Sequence, residues 1–151
     1  MLGDRAPNVY GYLSEEERVP ERAEVTDRIA ASTDRTRAII DAAFDSPDPS
    51  ERCRAAVDTL ISILASEAGN LALKVLATGG VYLAGGIAVR LASALQQPGF
   101  MRAFTRKGRF RDLVARIPVH VITARAALLG AAMRGLESLE ARRRTAQGGH
   151  R

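Results

Sequence analysis

The chain has 151 residues, enough for one domain around one core. Hydrophobic residues make up 46% and charged residues 26%, ordinary values for a globular protein, and with no Trp and 5% aromatics the core must be aliphatic. Cys53 is the single cysteine, which excludes an intrachain disulfide and a cysteine-based metal site. No apolar run approaches the roughly 18 residues of a membrane span, and Met1 to Arg5 is unlike a signal peptide. A cytoplasmic protein without membrane contact is expected.

In chain order, residues 1–50 form an acidic helix/loop segment punctuated by Pro7, Pro20, Pro47 and Pro49. Glu15, Glu16, Glu17 and Arg18 belong in or beside a short exposed helix. Residues 21–31 suit a second helix, with Val25 and Ile29 four apart on one face. Thr33 or Asp34 can cap a third helix over 35–44, with Ile39, Ile40 and Ala43 as its buried stripe. Residues 45–49 carry two prolines and form a turn.

Residues 51–144 form the α/β segment. Ser50 can cap its first helix, and Glu51 sits in the first turn, where the helix dipole favours an acid. Val57, Leu60, Ile61, Leu64, Ala68, Leu71, Ala72 and Val75 give about five turns of apolar periodicity. Gly69 inside this helix costs roughly 1 kcal/mol against Ala, so a close neighbour is expected there. Residues 81–84 read as a buried strand, apolar on both faces. Gly85 and Gly86 follow at once, and 87–95 is again helical. Pro98 and Gly99 make a turn; Phe100, Met101 and Phe104 begin another apolar patch. Phe110, Leu113 and Val114 share the core face of a helix ending before Pro118. Residues 119–123 form a second strand, 126–144 a final Ala- and Leu-rich helix, and 145–151 a disordered tail. The fold class is a mostly helical α/β fragment with two short parallel strands. Two strands are too few for an independent sheet, so further sheet partners are expected.

The net charge of +5 is unevenly spread: residues 1–73 hold 14 acids and 8 bases, and 74–151 hold 3 acids and 14 bases. Solvated arginines on helix faces account for this most simply; a polyphosphate or a nucleic acid is the functional alternative. Lys107-Gly108-Arg109, beside Arg106, is the densest basic cluster before the tail. No aromatic interleaving supports single-strand stacking, so nucleic-acid binding is not favoured. His120 and His150 are distant from each other, so no transition-metal constellation arises. The best candidate for a ligand is the strand end at Gly85 and Gly86, where two residues without Cβ let a flat group approach the backbone; Lys107-Gly108-Arg109 is the second, for a phosphate. Neither standard phosphate-loop fingerprint is present.

The ordered series Gly69-Asn70-Leu71-Ala72-Leu73, Gly79-Gly80-Val81-Tyr82-Leu83-Ala84-Gly85-Gly86-Ile87, Phe100 to Phe104, Lys107-Gly108-Arg109-Phe110, Ile117-Pro118-Val119 and Leu128-Leu129-Gly130-Ala131-Ala132 resembles the C-terminal third of bacterial glucokinases, over roughly residues 9–139. The resemblance implies part of the C-terminal lobe of an actin-like (ribonuclease-H-like) ATPase fold. In that family ATP, with Mg2+, and glucose meet in a cleft between two lobes, and the γ-phosphoryl group passes to the sugar 6-hydroxyl. The family's phosphate loop, catalytic base and sugar ligands precede the matching segment and have no counterpart here. What the resemblance carries over is the adenosine side: Gly85 and Gly86, with Ala84 and Ile87 beside them. It further implies that the chain alone is inactive, that a homodimer or an N-terminal lobe is its partner, and that the last helix exposes an apolar face. Ala88 stands where many relatives have Pro, which relaxes the start of that helix. The competing expectation is a non-catalytic helical dimerisation or nucleotide-sensing module.

Overall fold

A computed structural model describes residues 5–16, 19–124 and 126–148. Nine α-helices and two short strands are assigned among them: α1 (Arg5–Glu15), α2 (Ala23–Ala31), α3 (Arg35–Phe44), α4 (Glu51–Lys74), β1 (Val81–Leu83), α5 (Gly86–Arg90), α6 (Ala92–Leu95), α7 (Pro98–Thr105), α8 (Arg111–Ala115), β2 (Val119–Val121) and α9 (Ala126–Gly148). A 3-10 turn, Gly108–Phe110, joins α7 to α8. The chain divides into two compact units at Val121 and Ile122.

In the first unit α4 is the axis, packing against α1 and α3 and, further along, against α7. Its core face carries Cys53, Ala56, Val57, Leu60, Ile61, Ala65, Ala68, Gly69 and Ala72. Ser50 caps the helix as expected: its Oγ accepts from Cys53 N–H at 3.0 Å. Asp34 likewise caps α3 through Arg37 N–H at 2.9 Å. By length and composition alone α4 could cross a membrane, although Arg54, Asp58 and Glu67 interrupt its apolar positions. Its buried face makes it the central helix of this unit.

The α4 periodicity was over-read in one respect. Leu71 and Val75 are 58% and 62% exposed. They lie seven and eleven residues after Leu64, on a flank that the packed helices leave uncovered, and not on the core stripe. Conversely, the helix expected in or beside Glu15 to Arg18 lies before those residues, as α1 from Arg5 to Glu15, and it is not wholly exposed. Pro7 sits in its first turn, where proline is tolerated, and Ala6 and Tyr10 bury their side chains at helical spacing. Glu15 ends α1, whereas Glu17 and Arg18 lie outside the described residues.

Between α1, α2 and α4, Glu21 gathers polar groups: Tyr10 OH lies 3.4 Å from its Oε2, and Ser50 Oγ donates to the same oxygen. Cys53 Sγ is 3.7 Å away. Burial pushes the Cys53 thiol up to about 11 and raises the Tyr10 hydroxyl above its ordinary value. Cys53 is thus an inert packing group.

Gly69 is where α7 crosses α4. A Cβ there would lie 2.4 Å from Phe104 O and 2.7 Å from Lys107 Cε. The neighbour anticipated from the sequence is therefore the C-terminal end of α7. Lys107 then reaches back along α4, its Nζ donating to Ser66 O at 2.8 Å and lying 3.3 Å from Ser66 Oγ.

Past α4 the chain turns through a Schellman motif. Ala77 N–H donates to Ala72 O at 2.9 Å and Leu76 N–H to Leu73 O at 3.3 Å. Leu76 occupies the position that favours glycine, with φ of 49°. The turn delivers β1, which pairs in parallel with β2: Val81 opposite Val119, Tyr82 opposite His120, Leu83 opposite Val121. The strand pair is not buried on both faces. Leu83 is buried, while Tyr82 is 62% exposed and stacks on the exposed His120 at 5.0 Å between ring centroids. The second strand ends at Val121, so Ile122 and Thr123 are not part of it.

The second unit is dominated by α9, which continues to Gly148, beyond the Arg144 end read from the sequence. Leu129, Met133, Leu136 and Leu139 are all more than half exposed along it.

Two stability outcomes are expected. Gly69→Ala should destabilise by about 1–3 kcal/mol, because the intruding methyl meets backbone that can move only with α7. Leu76→Gly should stabilise by roughly 1 kcal/mol, since an exposed side chain is lost and left-handed strain is relieved. Equilibrium urea unfolding followed by circular dichroism measures both.

Candidate functional site

The C-terminal end of β1 opens into the turn formed by Ala84, Gly85 and Gly86. Gly85 has φ of 107° and ψ of 165°, a conformation essentially restricted to glycine, and serves as the N-cap residue of α5. Its carbonyl accepts from Val89 N–H at 3.2 Å. A Cβ added to Gly85 or Gly86 would meet nothing within 4 Å. The backbone of Gly85 needs glycine for its dihedrals, and the space beside both residues is open. By contrast, a Cβ on Gly80, before β1, would lie 3.3 Å from both Cγ and O of Pro118, so that glycine serves strand packing.

Ala84, Gly85 and Gly86 are exposed, and Ile87 is half-buried against the core. The four residues named from the sequence therefore run from the strand end through the N-cap Gly85 into the first turn of α5. The helix expected over 87–95 is broken into two short pieces, α5 and α6, hinged at Leu91, whose side chain is buried.

Local reading of the sequence missed what lies across from Ile87. A groove of about 480 Å³ is lined by Ile87 and Arg90 on one side and by Pro7 and Thr33 to Thr36 on the other. Arg90 Nη1 donates to Asp34 Oδ2 at 3.1 Å, tying α5 to the start of α3 across 56 residues of chain. The Arg37 N–H, followed by the Arg90 guanidinium, holds the Asp34 carboxyl below its usual range. The only sequence signal here was Asp34 as a cap, which accounts for one of its oxygens and not for the other.

Lys107 and Arg109 of the basic cluster have partners within the chain. Lys107 is committed to Ser66, Gly108 turns with φ of 54°, and the Arg109 guanidinium lies 5.1 Å from the Phe110 ring centroid. Phe110, expected in the core, is 43% exposed, because the 3-10 turn rotates it out of line with the buried Val114. Phe104 is fully buried. The side chains of Arg142 to Arg144, and His150, lie outside the described residues. Among the described residues no three His, Cys, Asp or Glu side chains converge in a way that could hold a metal ion.

These features define a helical α/β unit with an open glycine turn at a strand end. The family model described as Glucokinase matches residues 3–137, and the chain belongs to the glucokinase family. It is 46% identical over 79 residues to a glucokinase from Nostoc sp. (strain PCC 7120), covering 52% of this chain and 23% of that protein. It is 48% identical over 80 residues to a glucokinase from Ralstonia nicotianae, covering 53% of this chain and 23% of the relative. The chain thus matches about a quarter of the length of these curated relatives. Among solved structures, that of a glucokinase from an Antarctic psychrotroph superposes with a TM-score of 0.60 at 24% identity, covering 86% of this chain and 37% of that one. At that identity the likeness is one of fold.

Asp34 generates a pH prediction. Its carboxyl titrates lower in the folded chain than in the unfolded one, so its contribution to stability is complete above the unfolded value near 4 and disappears as pH falls through the lower folded value. Asp34→Asn keeps a cap acceptor but loses the charge facing Arg90. The parent should lose its stability advantage over this variant on acidification, read as converging urea midpoints between about pH 5 and pH 2.

Proposed function

We propose that this chain is the C-terminal part of a glucokinase, an ATP:glucose 6-phosphotransferase, and that it supplies the adenosine side of the nucleotide cleft within an actin-like fold. The observation that carries this reading is the turn at Ala84, Gly85, Gly86 and Ile87. It is open to solvent, has no Cβ over its two glycines, and is bordered by the groove at Arg90 and Asp34. A flat base can lie against the glycine backbone, where a side chain would hold it away by its own thickness. Ile87 offers an apolar edge to the same ring. Arg90, fixed by Asp34, places hydrogen-bond donors at the groove margin.

Phosphoryl transfer also requires a phosphate cradle, a metal ion and an acceptor for the sugar hydroxyl proton. No residue of this chain is assigned any of those roles. Mg2+ would arrive with the nucleotide and be held, like glucose, by the other lobe. Residues 51–144 are the portion to which this reading assigns the lobe, with 1–50 as a segment packed on it and 145–151 as its tail. The chain alone should not phosphorylate glucose.

A second reading has its own support. The exposed apolar row Leu129, Met133, Leu136 and Leu139 on α9 suits a non-catalytic dimerisation or nucleotide-sensing module.

Two measurements separate these. In a coupled glucose 6-phosphate assay the purified chain should show no turnover above background, and robust turnover overturns the half-cleft reading. In an ATP titration by calorimetry, Gly86→Val should weaken whatever affinity the chain has by about tenfold or more; unchanged affinity removes the glycine turn from the site. Light scattering during the same titration reports a dimer, and a dimer controlled by ATP favours the sensing module.

A further inference from the structure

We propose that the cleft between α4 and the start of α7 is a second binding site, for the phosphate group of a small organic phosphate. The cleft encloses about 610 Å³, within the usual range of roughly 300–1,000 Å³ for small-molecule sites. It shares no lining residue with the groove beside Ile87. Three guanidinium groups line it, Arg54, Arg102 and Arg106, against one acid, Asp58.

The three arginines are not equivalent. Arg54 is occupied: its Nε lies 3.5 Å from Asp58 Oδ2, and its guanidinium sits 4.6 Å from the Phe44 ring centroid. Arg102 on α7 and Arg106, the residue that ends it, both line the cleft and have no acid within ion-pair distance among the described residues. Two uncommitted guanidinium groups at one mouth match a phosphate dianion better than a single carboxylate, because planar forks pair with several phosphate oxygens at once.

The placement of Arg102 adds a second argument. A Cβ on Gly99 would lie 3.8 Å from Arg102 Nη2, so this guanidinium lies over the first turn of its own helix. Gln97, at the N-cap, makes no side-chain hydrogen bond to that turn. A cation beside the positive end of a helix is disfavoured, and an anion between them reverses the sign of both interactions. The floor beneath is apolar and buried, with Ile61 and Phe100. That combination selects a phosphate carried on an apolar or ring-shaped body over inorganic phosphate, and a single local cleft is unlike the extended stripe a nucleic-acid backbone needs.

Calorimetric titration of the full chain with phenyl phosphate and, separately, with inorganic phosphate tests the site. Phenyl phosphate should bind more tightly than inorganic phosphate. Arg102→Ala with Arg106→Ala should weaken it by about tenfold or more, and Arg102→Gln alone by a smaller factor. A control pair outside the cleft, Arg109→Ala with Arg111→Ala, should leave affinity within about twofold. All of these positions are exposed, so folding is expected to survive, and circular dichroism checks it. Equal affinity for the two phosphates, undiminished affinity in the Arg102 and Arg106 variant, or an equal loss in the control pair overturns the proposal.

Discussion

The contact between α4 and α7 at Gly69 sets the geometry of everything downstream. Without a Cβ at that point, the Phe104 carbonyl reaches the surface of α4, and the Lys107 stem passes beside it to the Ser66 carbonyl. A buried backbone approach of this kind has little compliance, since both elements are closed hydrogen-bonded helices. It fixes α7, and through the 3-10 turn it fixes α8 and the entry to β2 at Pro118. The same helix, leaving through Leu76, fixes the entry to β1. Both strands are therefore delivered by one crossing, and their register follows from it: Val81 N–H meets Pro118 O at 2.9 Å before the strand pairing begins.

That arrangement explains why so small a sheet can present a defined turn. Two strands of three residues carry little stability of their own. Leu83 anchors β1 in the core, and Arg90 ties the following helix to Asp34. The glycine turn between these anchors is constrained at both ends while its own surface stays open. Its openness is a property of the backbone path, which only glycine at Gly85 can follow.

Helices with a clear stripe were legible in the sequence. The buried positions of α2 and α3, and the caps at Asp34 and Ser50, follow from spacing and side-chain chemistry. Gly69 could be read as a close approach because a mid-helix glycine is otherwise costly. What could not be read was which flank of a long helix would stay uncovered. Leu71 and Val75 satisfy the periodicity as well as Ala68 and Ala72 do, and only the position of α7 separates them. Tyr82 poses the same problem on the strand, where alternation cannot show whether a second layer covers the outer face. The Gly85 and Gly86 turn was visible as a local pattern. The groove beside it was not, because Asp34 and Arg90 are joined by tertiary structure and no local signal links them.

The uncovered surfaces have a common physical character. Tyr82 with His120 on the sheet, and Leu71 with Val75 on α4, are apolar or aromatic groups at the ends of well-packed elements. Scattered exposed apolar residues are normal on a folded protein. Here they fall where the strand pair lacks further strands and where α4 leads into it, away from the faces of α4 that pack on α1, α3 and α7. A chain that matches about a quarter of its relatives' length keeps the core that holds its glycine turn. Phosphoryl transfer in general needs donors, a metal and a base on all sides of the moving group, and the open turn is a wall on one side only. On the proposed reading binding and chemistry separate at that point, with the turn and its groove contacting a nucleotide and the transfer step left to an opposing wall.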